Sequence, residues 1–255
     1  MRSLTYAGLL TGIACRNAPP LRLGTTTTVE QSGFLVAAES LWAGPRLAVV
    51  IAPSGQILRS AASGDLDLAL THAPALEAQW LAGNPGGALL RCPFVWSEFA
   101  IVGPSGDPAQ VAAAATAADG FRRIAHAGAR FVSRGDSSGT HERELSIWRA
   151  AGITPAGRLW YVESGTDQGA TLHLADERRA YALADLPTFR ALKGLQLRVL
   201  FTGDSVLRNT YTLYLVRTAA LHPTARGFVD WAMSTWRQHL PAGFTPQPGA
   251  CAPPS

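Results

Sequence analysis

Four stretches of the chain, residues 25–32, 54–55, 133–140 and 164–169, set hydroxyls and glycines between an apolar run and a helical pattern. The first turn of a helix has unpaired backbone N–H groups and a partial positive charge, so an oxyanion there gains hydrogen bonds without needing lysines. Serine and threonine add short neutral donors, and glycine lets backbone come close. Arg134, beside the third stretch, has the planar fork that grips two oxygens of a dianion. The same residue types also make ordinary helix caps. Thr27-Thr28-Val29-Glu30 fits a capping box, and Asp136 is an ion-pair partner within reach of Arg134. Four such junctions in one chain favour a shared anion site over four independent caps.

Other chemistries fit less well. GDSSG at 135–139 matches the GDSGG of trypsin-like proteases in letters, and His141 follows Ser137 closely enough to approach it at a helix start. The flanks, however, predict strand, turn and helix rather than a double barrel, and no triad order is visible. A serine hydrolase using Ser137 is kept as the alternative from another class. His72 and His141 stand at no metal-ligand spacing with a cysteine or another histidine, and THERE lacks the second histidine of a zincin, so no cation site is expected. Donors are plentiful while a base, nucleophile or metal cluster is not, which predicts binding without catalysis or cofactor. The formal charge of +4 suits an anionic partner. The basic residues are scattered and almost none is lysine, so nucleic acid is not an expected partner.

The elements that must position these residues alternate. LRLGTTTT reads as a strand emptying into a polar turn, SGFLVAAESLWAG as a helix closed by Gly44, RLAVVIAP as a strand, SGQILRSAASG as a helix from Ser54 to Gly64, and GDLDLALTHAP as a strand with Leu66, Leu68 and Leu70 alternating with polar partners. Such alternation predicts parallel strands with crossover helices and ligands beyond the strands' carboxyl ends. FVWSEFAIVG is a long strand. An alanine-rich segment including FRRIAHAG, the strand ARFVSR, the helix ERELSIWRAAG, the strand LWYVESG and the helix around ATLHLADERRA follow. LQLRVLF and NTYTLYLVR return as strands, and GFVDWAMSTWRQHL closes as an amphipathic helix with Phe228, Trp231 and Ala232 on one face. The tail after Pro241 reads as irregular. This is an α/β chain of two lobes crossed twice: 21–102 with 205–255 form lobe 1, and 103–204 form lobe 2.

Residues 1–20 read as an export signal and spacer, with Arg2 before an apolar run from Leu4 to Ile13. Small residues before Cys15 also fit a lipoprotein signal, which would make Cys15 the lipidated first residue of a periplasmic or extracytoplasmic protein. Cys92 and Cys251 are then left to pair in a disulfide.

Taken in order, TTTTVEQSGFL, the SGQIL turn, GDLDLALTHAP, FAIVGPSGDPA, FVSRGDSSGTHERELSIW, WYVESGTDQGATLHLADE and AYALAD resemble the tungstate-binding component of ABC importers over about residues 21–235. SRGDSSGTH is the most specific part. The resemblance implies a two-lobed periplasmic-binding-protein fold of type II. It implies a monomer with tungstate, or next molybdate, in the cleft, and hand-over to an inner-membrane permease with its ATPase. Its ligand contacts correspond to Thr25, Thr26 and Thr27, to Ser54, and to Arg134 with Ser137 and Thr140; Gly165 joins them from the fourth stretch. An acceptor-only dianion suits a lining of donors, whereas a phosphate or sulfate receptor of the same architecture is the nearest alternative. Three departures stand out. Thr28 replaces a serine, Pro53-Ser54-Gly55 replaces a Gly-Thr-Gly turn, and Asp167-Gln168 replaces a Gly-Met pair. A carboxylate at 167 facing a dianion would be repulsive unless it points away or is protonated.

Overall fold

The computed structural model describes residues 19–254 of the chain. Cys15 and the leader read from the sequence lie outside the described residues.

Lobe 1 starts as a βαβ alternation: β1 (Leu21–Thr25), α1 (Thr27–Gln31), α2 (Phe34–Leu41), β2 (Leu47–Ile51), α3 (Ser54–Ala62), β3 (Leu68–Thr71) and α4 (Pro74–Gly83). A long strand, β4 (Ala88–Gly103), then leads into lobe 2: α5 (Ala117–His126), β5 (Phe131–Ser133), α6 (Gly139–Ala150), β6 (Tyr161–Glu163), α7 (Gln168–Glu177), β7 (Ala182–Asp185), α8 (Leu186–Ala191) and β8 (Arg198–Phe201). The chain returns through β9 (Arg208–Val216), α9 (Ala225–Ser234) and β10 (Thr245–Pro246).

In lobe 1 the sheet order is β10-β4-β9-β3-β1-β2. β1 is parallel to β2 and β3, as crossover helices require, and β9 is antiparallel to β3 and β4. In lobe 2 the second half of β4 pairs with β7 and β8, and β5 lies parallel to β6. Glu98 opposite Arg208 is the last pair of β4 with β9, and Phe99 opposite Asp185 begins its pairing with β7. The strand partners thus change a few residues before the position 102 read from the sequence.

Both sheets are covered on both faces. In β3, Leu68 and Leu70 join the core under α2 and α9, while Ala69 joins the core under α3 and α4. The alternation expected for Leu66, Leu68 and Leu70 therefore stops short, because Leu66 precedes the strand and packs on the opposite side. The polar partner Asp67 is buried and ion-paired to Arg22 at 2.7 Å. Lobe 2 repeats the pattern: Phe99 and Ile101 face α5 and α6, and Ala100 and Val102 face α7. Phe34 anchors the lobe 1 core, its ring 4.7–5.9 Å from Phe244, Trp236 and Phe94.

The closing segment differs from its reading as one helix. α9 ends at Ser234, and Trp236 folds back beneath Phe34. The tail is not irregular throughout: Phe244 enters the core, β10 pairs with β4, and a disulfide joins Cys251 to Cys92.

Candidate anion site

Each junction singled out in the sequence ends a strand and opens a helix at the seam between the lobes. Thr26, in extended backbone, precedes α1. The capping box does not form, since Thr26 rather than Thr27 holds the cap position and Glu30 is exposed. α3 opens at Ser54 directly after Pro53, with Ser54 fully buried. α6 is capped by Ser138, whose hydroxyl accepts from the His141 N–H at 3.2 Å, and buried Thr140 lies in its first turn. α7 is capped by Asp167, whose Oδ1 accepts from the Ala170 N–H at 3.0 Å.

Close approaches bring these four helix starts together. Arg134 of lobe 2 donates from Nη2 to Thr27 Oγ1 of lobe 1 at 3.3 Å and to Asp136 Oδ2 at 2.5 Å. A Cβ on Gly55 would lie 3.5 Å from the Ser137 carbonyl, so α3 faces the turn before α6. A Cβ on Gly139 would come within 2.4 Å of the His72 carbonyl, which only a glycine tolerates. Gln31 of lobe 1 clasps the start of α7: its Nε2 donates to Asp167 Oδ1 at 2.9 Å, and its Oε1 accepts from the Gly169 N–H at 3.1 Å.

Within this seam, Ser54 Oγ, Thr140 Oγ1 and Arg134 Nε are buried and have no hydrogen-bond partner among the described residues. All three are donors, and they come from two junctions: Ser54 from the start of α3 in lobe 1, and Arg134 and Thr140 from the junction between β5 and α6 in lobe 2. Buried polar groups are otherwise almost always paired, so these donors, with Ser133 Oγ, His141 Nε2 and Glu142 Oε2 also unpaired around the start of α6, make the seam a candidate place for an acceptor. Burial pulls the Arg134 guanidinium pKa down while Asp136 pushes it back.

Other candidates are held differently. The Thr25 hydroxyl donates to the Leu70 carbonyl at 3.2 Å, and the Gly165 N–H donates to the Arg134 carbonyl at 2.8 Å. Both brace the turns, and neither donor is free. Ser137 is exposed, in a left-handed conformation with φ 57°. Its N–H, not its hydroxyl, meets His141 Nδ1 at 3.2 Å. That ring nitrogen is therefore not placed to take a proton from Ser137 Oγ, which removes the geometric basis of the hydrolase alternative. Among the described residues no group of His, Cys, Asp and Glu is placed to hold a metal ion.

Asp167 resolves differently from a carboxylate aimed at an anion. Burial raises its pKa, but the Gln31 and Ala170 bonds and the charge of Arg134 hold it below the usual carboxylate range overall. It stays ionised as a helix cap and as half of the clasp between the lobes.

Sequence reasoning missed Gln31, His72 and Asn209. His72 stands just beyond the carboxyl end of β3, so the strand-end rule applied there as well would have included it. Gln31 and Asn209 carry no local signal, because their partners are distant in sequence.

The family model described as PBP superfamily domain matches residues 16–235. A Haloferax volcanii protein named for ABC-transporter anion binding is 38% identical over 208 residues, covering 78% of this chain; the chain spans only 60% of that relative's length. The tungstate-binding protein TupA of Peptoclostridium acidaminophilum is 31% identical over 252 residues, covering 91% of this chain and 87% of its own. The crystal structure of the tungstate ABC transporter from Geobacter sulfurreducens superposes with a TM-score of 0.78 at 36% identity, over 89% of this chain and 99% of that one.

Proposed function

The chain belongs to the PBP superfamily and, within it, to the family of tungstate-binding proteins, and from that premise we propose that it captures tungstate between its lobes as the solute-binding component of an ABC importer. Molybdate is the second ligand, differing too little in charge and shape for these donors to reject outright. The observation that carries the reading is the set of unpaired donors, Ser54 Oγ, Thr140 Oγ1 and Arg134 Nε, offered by two strand–helix junctions, one in each lobe.

Selectivity follows from donor type. A fully deprotonated tetrahedral oxyanion only accepts hydrogen bonds, so it satisfies all three donors, whereas a protonated phosphate brings a hydrogen that needs an acceptor. The nearby carboxylates of Asp136 and Asp167 are already engaged by Arg134 and Gln31. Sulfate shares the acceptor chemistry and would be turned away by its smaller radius. Thr26 and Thr27 line the lobe 1 side. Closure of the lobes over the anion excludes water, and the clasp of Gln31 on α7 supports the closed form recognised by a permease with its ATPase. A monomer outside the cytoplasmic membrane, held there by lipid on Cys15, fits this role.

Titration calorimetry of the purified protein with tungstate, molybdate, sulfate and phosphate tests the assignment. Tight binding of the first two alone, lost in Arg134→Ala, is expected. Heat from none of the four, or full affinity in Arg134→Ala, would overturn it.

A further inference from the structure

A hydrogen-bond chain behind the threonine turn has a direction that can be read atom by atom. Asp185 of lobe 2 accepts from Asn209 Nδ2 at 3.0 Å, while Ser97 Oγ and the Tyr211 hydroxyl lie 3.2 and 3.0 Å from the same nitrogen. With its nitrogen fixed on a carboxylate, Asn209 turns Oδ1 toward His72 Nδ1, 3.0 Å away. An amide oxygen only accepts, so the ring carries its proton on Nδ1. Burial drives the His72 pKa down to about 4, with Asp185, Asn209 and Asp136 pulling it up and Arg134 pushing it further down. Nε2 is therefore bare at neutral pH, and Thr28 Oγ1, 3.0 Å away, donates to it. Thr28 has no second hydrogen, so in the 2.9 Å contact between the hydroxyls of Thr26 and Thr28 the donor is Thr26.

The chain thus runs from Thr26 to Thr28 to His72 to Asn209 to Asp185. This direction leaves Thr26 only lone pairs for the cleft, the wrong polarity for an acceptor-only anion. A proton on Nε2 reverses it: the ring donates to Thr28, Thr28 donates to Thr26, and the Thr26 hydrogen is free to turn outward. We propose that His72 is a positioning residue that couples uptake of one proton at Nε2 to anion capture, by reversing the Thr28–Thr26 hydroxyl pair.

The inference rests on Thr26 being an anion contact. Proton and anion then favour the same arrangement, so each raises affinity for the other. Every group packed on the ring is consistent with this linkage. Tyr211 stacks on it at 4.8 Å and Phe99 lies at 6.4 Å, both uncharged. The start of α6 abuts it at Gly139, where an added Cβ would lie 2.8 Å from Nδ1. Arg134 opposes protonation, and a dianion beside Arg134 cancels that opposition, whereas Asp136 and Asp185 favour it.

The test is calorimetry with dilute sodium tungstate, between about pH 6 and about pH 8, in two buffers of different ionisation enthalpy. Wild-type protein is expected to take up as much as one proton per anion toward the acid end, with affinity rising up to about tenfold per pH unit as pH falls. Thr28→Val, which cuts the chain between His72 and Thr26, and His72→Gln, which cannot gain the proton, should bind with buffer-independent heat and a flat profile. Tight wild-type binding with buffer-independent heat would overturn the proposal, as would proton uptake surviving in Thr28→Val. No wild-type binding at all would instead overturn the reading of the site beneath it.

Discussion

Removing a hydroxyl from the site should make the protein more stable and a worse binder. Ser54 Oγ is buried without a partner, and such an atom costs about 1–3 kcal/mol of unrecovered desolvation. Ser54→Ala deletes that oxygen and no carbon, so it leaves almost no cavity. Ser54 also opens α3, where alanine is a good helix former. A gain of about 1–2 kcal/mol is expected, which for a chain of this size raises Tm by roughly 2–8 °C. Affinity moves the other way. A hydrogen bond to a charged acceptor contributes about 1.5–3 kcal/mol, so tungstate binding should weaken roughly 10- to 150-fold. Thermal melts with and without tungstate report both signs. At tungstate about one hundred times the wild-type Kd the ligand adds about 2.7 kcal/mol to wild type, and about 0.9 kcal/mol to a variant thirtyfold weaker. Thr140→Val should behave alike. A Ser54→Ala protein that melts lower without tungstate, or binds it as tightly as wild type, refutes the reasoning, because the hydroxyl would then be serving the fold.

Further outcomes follow from the same geometry. Burial raises the Glu144 pKa to about 7 despite bonds from Tyr161 and Trp148. A folded-state pKa above the ordinary value means that this group's contribution, about 3 kcal/mol, is complete below about pH 4.5 and lost as pH rises through about 7. His72 has the opposite sign below about pH 6.5, so Glu144→Gln should abolish the alkaline loss in denaturant titrations and expose an acid one; an unchanged alkaline limb refutes this. Asp167→Ala removes the α7 cap and one of the two Gln31 bonds, costing about 1 kcal/mol of stability, and should speed tungstate release in stopped-flow traces more than it slows capture. Replacing Cys92 and Cys251 by alanine opens a link spanning 159 residues, which should cost about 2–5 kcal/mol in urea unfolding while leaving tungstate affinity unchanged.

Much of the architecture was written locally. Period-two and helical patterns locate most of the strands and helices, and the rule that polar turns follow strands in α/β chains points to Ser54, Arg134 and Thr140 as site candidates. Local pattern failed where a partner overrode it. The tail after Pro241 lacks any strand signal, yet it is recruited onto β4 by pairing and a disulfide. Glu30 fits a capping box, yet α1 begins one residue earlier than that motif requires.

The sequence by itself determined which residue types stand at which strand end, because periodicity and turn chemistry act over a few neighbouring residues. Only the tertiary structure decided which of their donors remain free. Thr25 and Gly165 bond to backbone of other segments, Asp167 is claimed by Gln31, and the direction of the Thr26 hydroxyl is set through His72 by Asn209 and Asp185. Each of those partners lies far away in the chain, and a hydrogen bond depends on distance and orientation in space, which no local pattern encodes.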